Sequence, residues 1–384
     1  MAMLLSGSNV TLTRVSSAVR RDVRTLAMTG ARYNSRICNA DKKDKDKICL
    51  TSSDCSAGPI RVRPSRSSPW QDYHYRARPT VVRSEAREYT TGNMATNNSE
   101  LELGKVFNVK GKVALVTGGG SGIGLMITQT LAVNGARVYI VGRTEEKLDK
   151  VVAVHGKGIP GQIIAMVGDV STKDGVDRLV EEMESKEKYL DILVNNAGIA
   201  PDKGETSVDS AEQLKKEFYD RTTEKEWLDV YQTNVVAPFL MSMAFLPLVN
   251  KSTEANKGYS GTIVNISSLS GHIRISQGHF AYNSSKGAAI HLNRMLAAEI
   301  AKCGVKVRVN SIAPGVFPSE MTTNDSRDDN QKSEMAKEHK EGLPAQRPGK
   351  DQDMAAAILF VVGCQYLNGQ TVTVDGGYAI QVGN

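Results

Sequence analysis

Cysteine is scarce in this chain. The five present (Cys38, Cys49, Cys55, Cys303 and Cys364) form no CxxC pair and have no histidine at metal-ligand spacing. That excludes a zinc ribbon or a disulfide framework and predicts an intracellular, reduced setting with no metal required. Aromatic residues make up only 5% of the sequence and interleave with no basic patch, so the net charge of +6 does not read as a nucleic-acid surface. Long apolar runs are also lacking. Val235 to Val249 is the longest, is broken by Pro238 and Pro247, and falls short of the roughly 20 residues a membrane span needs. No transmembrane helix is expected.

The charge that is present is unevenly placed. Residues 1–99 hold 17 Lys and Arg against 8 Asp and Glu, a net of +9, which leaves −3 for the remainder of a chain that totals +6. The first 36 residues contain six arginines, many hydroxyl residues and a single acid, Asp22. On a helical wheel Leu12, Val15, Val19, Val23 and Leu26 fall within roughly an 80° arc, with Arg14, Arg20, Arg21 and Arg24 on the other side. This is the pattern of a mitochondrial presequence over residues 1–40, the alternative being a disordered tail. Residues 41–99, rich in charge, Arg, Ser and Pro, cannot offset the entropy of folding and are expected to be a disordered linker. If translation starts at Met94, the targeting reading disappears and a cytoplasmic location follows.

From Gly111 onward short β-rich runs alternate with helical periodicity. Strands are expected at 113–116, 137–141, 162–167, 192–195, 262–266, 306–312 and 371–374. Seven strands with intervening helices predict an α/β fold over residues 105–384, a single-domain Rossmann arrangement: a doubly wound parallel sheet with helices on both faces.

The first strand runs into Thr117-Gly118-Gly119-Gly120-Ser121-Gly122-Ile123-Gly124, followed by an apolar helix from about Leu125 to Val133. Glycines tolerate the positive φ of a tight turn and let backbone N–H groups and a helix N-terminus approach a pyrophosphate. Gly118, Gly122 and Gly124 give GxxxGxG rather than the familiar GxGxxG. A glycine run alone is often only a flexible loop; its place between strand and helix is what points to a dinucleotide. At the end of the second strand, where an acid would bind the ribose of NAD, stands Gly142-Arg143-Thr144. Arg143 could clamp a 2′-phosphate, which favours NADPH, or could be a solvated residue at a helix start. Asp169, after the third strand, could bind adenine or cap a helix with Ser171. Asn195-Asn196-Ala197-Gly198, after the fourth, could flank the adenosine or be an ordinary turn.

Tyr282 and Lys286, four residues apart at the entry to a helical pattern, can project from one face. A nearby ammonium is expected to favour the phenolate and lower the tyrosine pKa toward working pH, as a general acid and base requires. The strand 262–266 ends in Ser267-Ser268 at the carboxyl edge of the sheet. A serine there can donate to a developing oxyanion, or merely cap a turn.

With these residues in order, the chain resembles the short-chain dehydrogenase/reductase family over about residues 105–380. The resemblance implies Ser268 as the carbonyl-polarising serine, Tyr282 as proton donor, and Lys286 as the tyrosine's partner and a ligand of the nicotinamide ribose. It implies Asn234 as the holder of a water linking Lys286 to solvent, and Pro314, Gly315 and Val316 as the nicotinamide-side loop. Val316 to Thr322 is similar to bacterial 3-oxoacyl reductases of the rhamnolipid type and their fungal relatives. The implied activity is NADPH-dependent reduction of a small-molecule ketone or 3-oxoacyl carbonyl to a secondary alcohol; the rivals are an NAD-linked alcohol dehydrogenase and a non-catalytic nucleotide-binding protein. The apolar residues Ala288, Leu292, Met295 and Leu296 suit either the contact of a homodimer or homotetramer, as in relatives, or the chain's own core. Polar residues 323–345 suit a lid or a plain surface loop. Two departures stand out. Thirteen residues separate Ser268 from Tyr282, one more than usual in the family, so that the loop bulges or Ser267 substitutes. The run from Phe360 to Tyr366 is short before the last strand.

Overall fold

The computed structural model describes residues 97–383 except 202, 324–326, 328, 334 and 336–342. The basic pattern of residues 1–40, nearly all of the 41–99 linker and much of segment 323–345 lie outside the described residues. The last linker positions lead into a 3₁₀ turn at Asn98–Leu101.

Seven parallel strands form one sheet: β1 (Val113–Thr117), β2 (Arg137–Gly142), β3 (Gln162–Val167), β4 (Ile192–Asn195), β5 (Thr262–Ile266), β6 (Arg308–Pro314) and β7 (Thr371–Val374). The spatial order is 3-2-1-4-5-6-7. Helices α1 (Gly122–Val133), α2 (Glu145–His155) and α6 (Asp351–Gly363) cover one face; α3 (Lys173–Lys186), α4 (Glu224–Ala255) and α5 (Phe280–Lys302) cover the other. The doubly wound seven-stranded arrangement expected from the sequence is present.

The strands are apolar without interruption because both faces are buried. In β1, Ala114 and Val116 join the core under α1 and α6, while Val113 and Leu115 join the core under α3, α4 and α5. Residues Val138, Ile140 and Tyr139, Val141 of β2 divide in the same way. Between β1 and β4 the strand order reverses, and the crossovers on either side diverge, leaving a crevice at the carboxyl ends of those two strands.

One described helical run, Glu224–Ala255, is long and apolar enough to cross a membrane by length and composition. Its buried residues Ala237, Met241, Phe245, Leu248 and Val249 pack into the core beside β4 and β5, which accounts for its apolarity. It contains a π-helical turn at Gln232–Val236.

The short connection before β7 closes through Arg308. Its buried guanidinium donates to the carbonyls of Val361 (3.1 Å), Val362 (2.7 Å) and Leu367 (3.2 Å), at the end of α6 and in the connection itself. The Val361 and Val362 carbonyls belong to the last turn of the helix, where intrahelical donors run out and a cation is favoured by the dipole.

Candidate active site

The glycine turn is held by steric necessity. Gly118 has φ of +64°, open to glycine at little cost, and its N–H donates to the Val141 carbonyl at 2.8 Å. At Gly124 a Cβ would stand 2.0 Å from the Gly118 carbonyl oxygen and 2.5 Å from Asn196 Nδ2, so only hydrogen fits. Asn196 stitches the turn to β4: its Nδ2 donates to the carbonyls of Thr117 (3.0 Å) and Gly118 (3.1 Å). In return Thr117 Oγ1 accepts from the N–H groups of Asn196 (2.9 Å) and Ala197 (3.0 Å).

A cavity of about 620 Å³ extends from this turn. Gly118, Ser121, Gly122, Ile123 and Gly124 border one part, Arg143 and Asp169 another, and Ala197, Tyr282 and Lys286 a third. The Asp169 carboxylate accepts from Ser171 N at 2.9 Å and Ser171 Oγ at 2.7 Å. These bonds, helped by the charge of Arg143, hold its pKa below the usual aspartate range. The cap of α3 itself is Thr172, which accepts from Gly175 N.

Asn195 is placed differently from the expectation. Its Nδ2 donates to Ser242 Oγ (3.0 Å) and Asn265 Oδ1 (2.9 Å) inside the protein, and it does not border the cavity. The reason is strand parity: Asn195 points to the same face as Leu193, toward α4, and Asn196 is the residue that turns into the crevice.

Ser267 and Ser268, at the carboxyl end of β5, make different contacts. Ser267 Oγ lies 2.7 Å from Ser311 Oγ and donates to the Ile312 carbonyl at 3.1 Å, inside the sheet. Ser268 caps the turn at Leu269–Gly271 and interacts with the hydroxyl of Tyr282. Ser267 borders the cavity with its hydroxyl bonded within the sheet, whereas Ser268 does not border the cavity and meets the tyrosine hydroxyl. The longer loop between Ser268 and Tyr282 closes through Gln277 and Gly278, both with positive φ, against Gly204, whose N–H donates to the Gly278 carbonyl at 3.0 Å.

Lys286 is buried, donates from Nζ to the Ile266 carbonyl at 3.0 Å, and lies 5.6 Å from the centre of the Tyr282 ring. Burial pushes its pKa down to about 8. The tyrosine departs from the sequence expectation: burial raises its pKa, and the contact with Ser268 only partly offsets this. Desolvation of a phenolate outweighs the pull of its neighbours here, so the phenol keeps its proton at neutral pH.

Asn234, in the π-helical turn, is also spent on structure. Its Oδ1 accepts from Ile199 N at 2.9 Å, and its Nδ2 donates to the Ile199 carbonyl (2.9 Å) and Ser285 Oγ (3.0 Å). It pins the loop after β4 to α5, close to Lys286; a Cβ on Gly198 would stand 3.1 Å from Asn234 Oδ1 and 3.5 Å from Lys286 Nζ. Pro314 pairs with Val374 at the end of β6, Gly315 N donates to the Val374 carbonyl at 2.9 Å, and the Val316 carbonyl accepts from Gly349 N at 2.8 Å. None of these three borders the cavity, whereas Ser319, Glu320 and Met321 farther along the same segment do. Asn196, named only as part of its loop, and Lys147, which sequence reasoning missed, also border the cavity.

With the geometry in place, comparison with known proteins is direct. Residues 112–330 match the family model described as short chain dehydrogenase. The short-chain dehydrogenase/reductase PhomF of Diaporthe leptostromiformis is 35% identical over 277 residues, which cover 71% of this chain and 92% of that protein. The rhamnolipids biosynthesis 3-oxoacyl-[acyl-carrier-protein] reductase of Pseudomonas aeruginosa is 34% identical over 275 residues, covering 71% and 98%. Among solved structures, the Pseudomonas aeruginosa RhlG/NADP active-site complex matches with a TM-score of 0.59 at 32% identity, covering 71% of this chain and 98% of that one. The chain belongs to the short-chain dehydrogenase/reductase family and is an NAD(P)-dependent oxidoreductase.

Proposed function

We propose that this enzyme reduces a ketone or 3-oxoacyl carbonyl with NADPH, using Tyr282 as proton donor. The observation that carries the reading is that Tyr282 and Lys286 share one cavity with the glycine turn and Arg143, with Ser268 against the tyrosine hydroxyl. The residues fit a dinucleotide: the turn offers backbone N–H groups and the start of α1, at a position where any Cβ on Gly124 would collide. When bound, the reduced nicotinamide supplies a hydride. Tyr282 Oη, protonated at neutral pH because it is buried, gives its proton to the carbonyl oxygen. Ser268 Oγ donates a hydrogen bond to the same oxygen as negative charge develops. Lys286, a cation below about pH 8, stabilises the tyrosinate left behind, and Asn234 holds the neighbouring loop in place for a water path to it.

Support for NADPH over NADH comes from Arg143, exposed at the cavity mouth with no acid at the end of β2; the P. aeruginosa neighbour is described as an NADP complex. The ketone or 3-oxoacyl substrate rests on the named relatives. A homodimer or homotetramer is part of the same proposal, supported by Leu228, Phe239 and Met295, all exposed on α4 and α5. A mitochondrial address for residues 1–40 is supported by sequence pattern alone, and a fluorescent fusion of those residues tests it.

The experiment for the chemistry is Tyr282→Phe, assayed with NADPH against ketones and 3-oxoacyl thioesters by loss of cofactor absorbance. Turnover is expected to fall about 10²–10⁴-fold while NADPH binding persists. Unchanged turnover would sink the assignment.

A further inference from the structure

The segment after β6 folds back over the glycine turn. A Cβ on Gly122 would stand 2.8 Å from the Cβ of Ser319, so the two stretches touch. The next residue, Glu320, presents each carboxylate oxygen to a donor among the described residues. Oε2 accepts from Ser121 Oγ at 3.1 Å, and Oε1 accepts from Lys147 Nζ at 2.8 Å. Ser121, at the N-cap of α1, Lys147 and Glu320 all border the cavity, and Lys147 lies four residues beyond Arg143 on the same side of the site.

A hydroxyl at the start of α1 and an ammonium beside an arginine are what the phosphates of a dinucleotide would use. Carboxylate and phosphate both only accept hydrogen bonds: Ser121, with a single O–H, cannot serve both, and a phosphate brought to Lys147 would meet the repulsion of the carboxylate already paired with it. We propose that Glu320 is an internal competitor for the cofactor's phosphates, and that Lys147, once Glu320 moves off it, is a second cation for the 2′-phosphate beside Arg143. The inference rests on reading this cavity as the dinucleotide site. The Lys147–Glu320 pair is partly exposed, at 48% and 35% of the side chains, and pairs of that kind exchange partners readily. Binding therefore trades one set of bonds for another. NADPH, whose 2′-phosphate can claim Lys147, recovers more from the trade than NADH, which has no group to place there. Glu320 and Lys147 thus set cofactor affinity and selectivity without taking part in proton transfer.

The test measures dissociation constants for NADPH and NADH by fluorescence titration at fixed ionic strength. It uses the full chain, Glu320→Gln, Lys147→Met and the double variant, with thermal unfolding of each in the absence of nucleotide. Glu320→Gln is expected to bind NADPH at least fivefold more tightly, with a smaller gain for NADH. Lys147→Met is expected to weaken NADPH at least fivefold and NADH little, and in the double variant the gain from Glu320→Gln on NADPH should largely vanish. Should Glu320→Gln bind NADPH no better than the parent, the competitor role is wrong; a lower unfolding midpoint with no gain in affinity would mark it as a structural brace only. An undiminished gain in the double variant would overturn the role of Lys147. If the parent binds neither nucleotide, the reading of the cavity itself fails, whatever the variants do.

Discussion

Replacing Lys286 with Met should change how stability depends on pH, and the size of the change follows from burial. The lysine's ordinary value of 10.5 is pushed to about 8 in the folded protein; at about 1.4 kcal/mol per pH unit this corresponds to ~3 kcal/mol spent on keeping a buried ammonium at neutral pH. Between the two values the unfolded chain holds this proton and the folded one does not, so stability rises with pH across that window. From pH 7 to pH 10 the parent should gain roughly 2–3 kcal/mol that the Met variant does not. The raised phenols of Tyr139, Tyr259 and Tyr282 act with opposite sign, but only above about pH 10. Urea unfolding of both, without nucleotide, at pH 7, 8, 9 and 10 gives the difference curve directly. Parallel stability profiles would show that Lys286 is not held in the desolvated state described here. The same titration predicts that the reductive turnover of the parent declines above pH 8, as the cation beside the tyrosine is lost.

Gly124→Ala would drive a methyl to within 2.0 Å of the Gly118 carbonyl; destabilisation of ~2 kcal/mol and loss of nucleotide binding are expected from urea unfolding and fluorescence titration. Arg308→Leu removes three hydrogen bonds at the α6 terminus and leaves the Val361 carbonyl without a donor, while Val362 and Leu367 keep Gln365 and Asn310. It should cost ~3 kcal/mol, visible as a lower urea midpoint, and a change under 1 kcal/mol would show that water replaces the guanidinium at little cost. Arg143→Glu should lower the preference for NADPH over NADH at least tenfold, read as the ratio of kcat/KM values.

The strands were legible because burial on both faces leaves continuous apolar runs such as Val113 to Val116. Their ends were less so. β6 starts at Arg308 and runs to Pro314, two residues later at each end than expected, because pairing with β7 continues through Pro314 to Val374. Helix α1 begins at Gly122 rather than Leu125, since a glycine that reads as turn in sequence can also open a helix pressed against that turn. Order and spacing single out Tyr282 and Lys286, and the fold brings both to the cavity that the glycine turn borders. The choice between Asn195 and Asn196 could have been made from the alternation of β4, a signal present in the sequence and not used. The π-helical turn around Asn234 and the reach of Glu320 to Ser121, 199 residues away, carry no local pattern, and only the folded chain brings them into view. The tyrosine's raised pKa was missed for a related reason: a charge four residues away is visible in sequence, but the depth at which both groups sit is not.

The stitching of Thr117 to Asn196 and Ala197 has a mechanical consequence. The two lips of the crevice are riveted at the point where their strands diverge, so this enzyme cannot clamp its cofactor by swinging one half of the sheet against the other. Its floor is fixed, and among the described residues Ser319 to Met321, half-buried or exposed, are the part of the wall that lies over the glycine turn. Rates of cofactor entry and release should then respond to changes in that part of the wall far more than to changes anywhere along the strands beneath it.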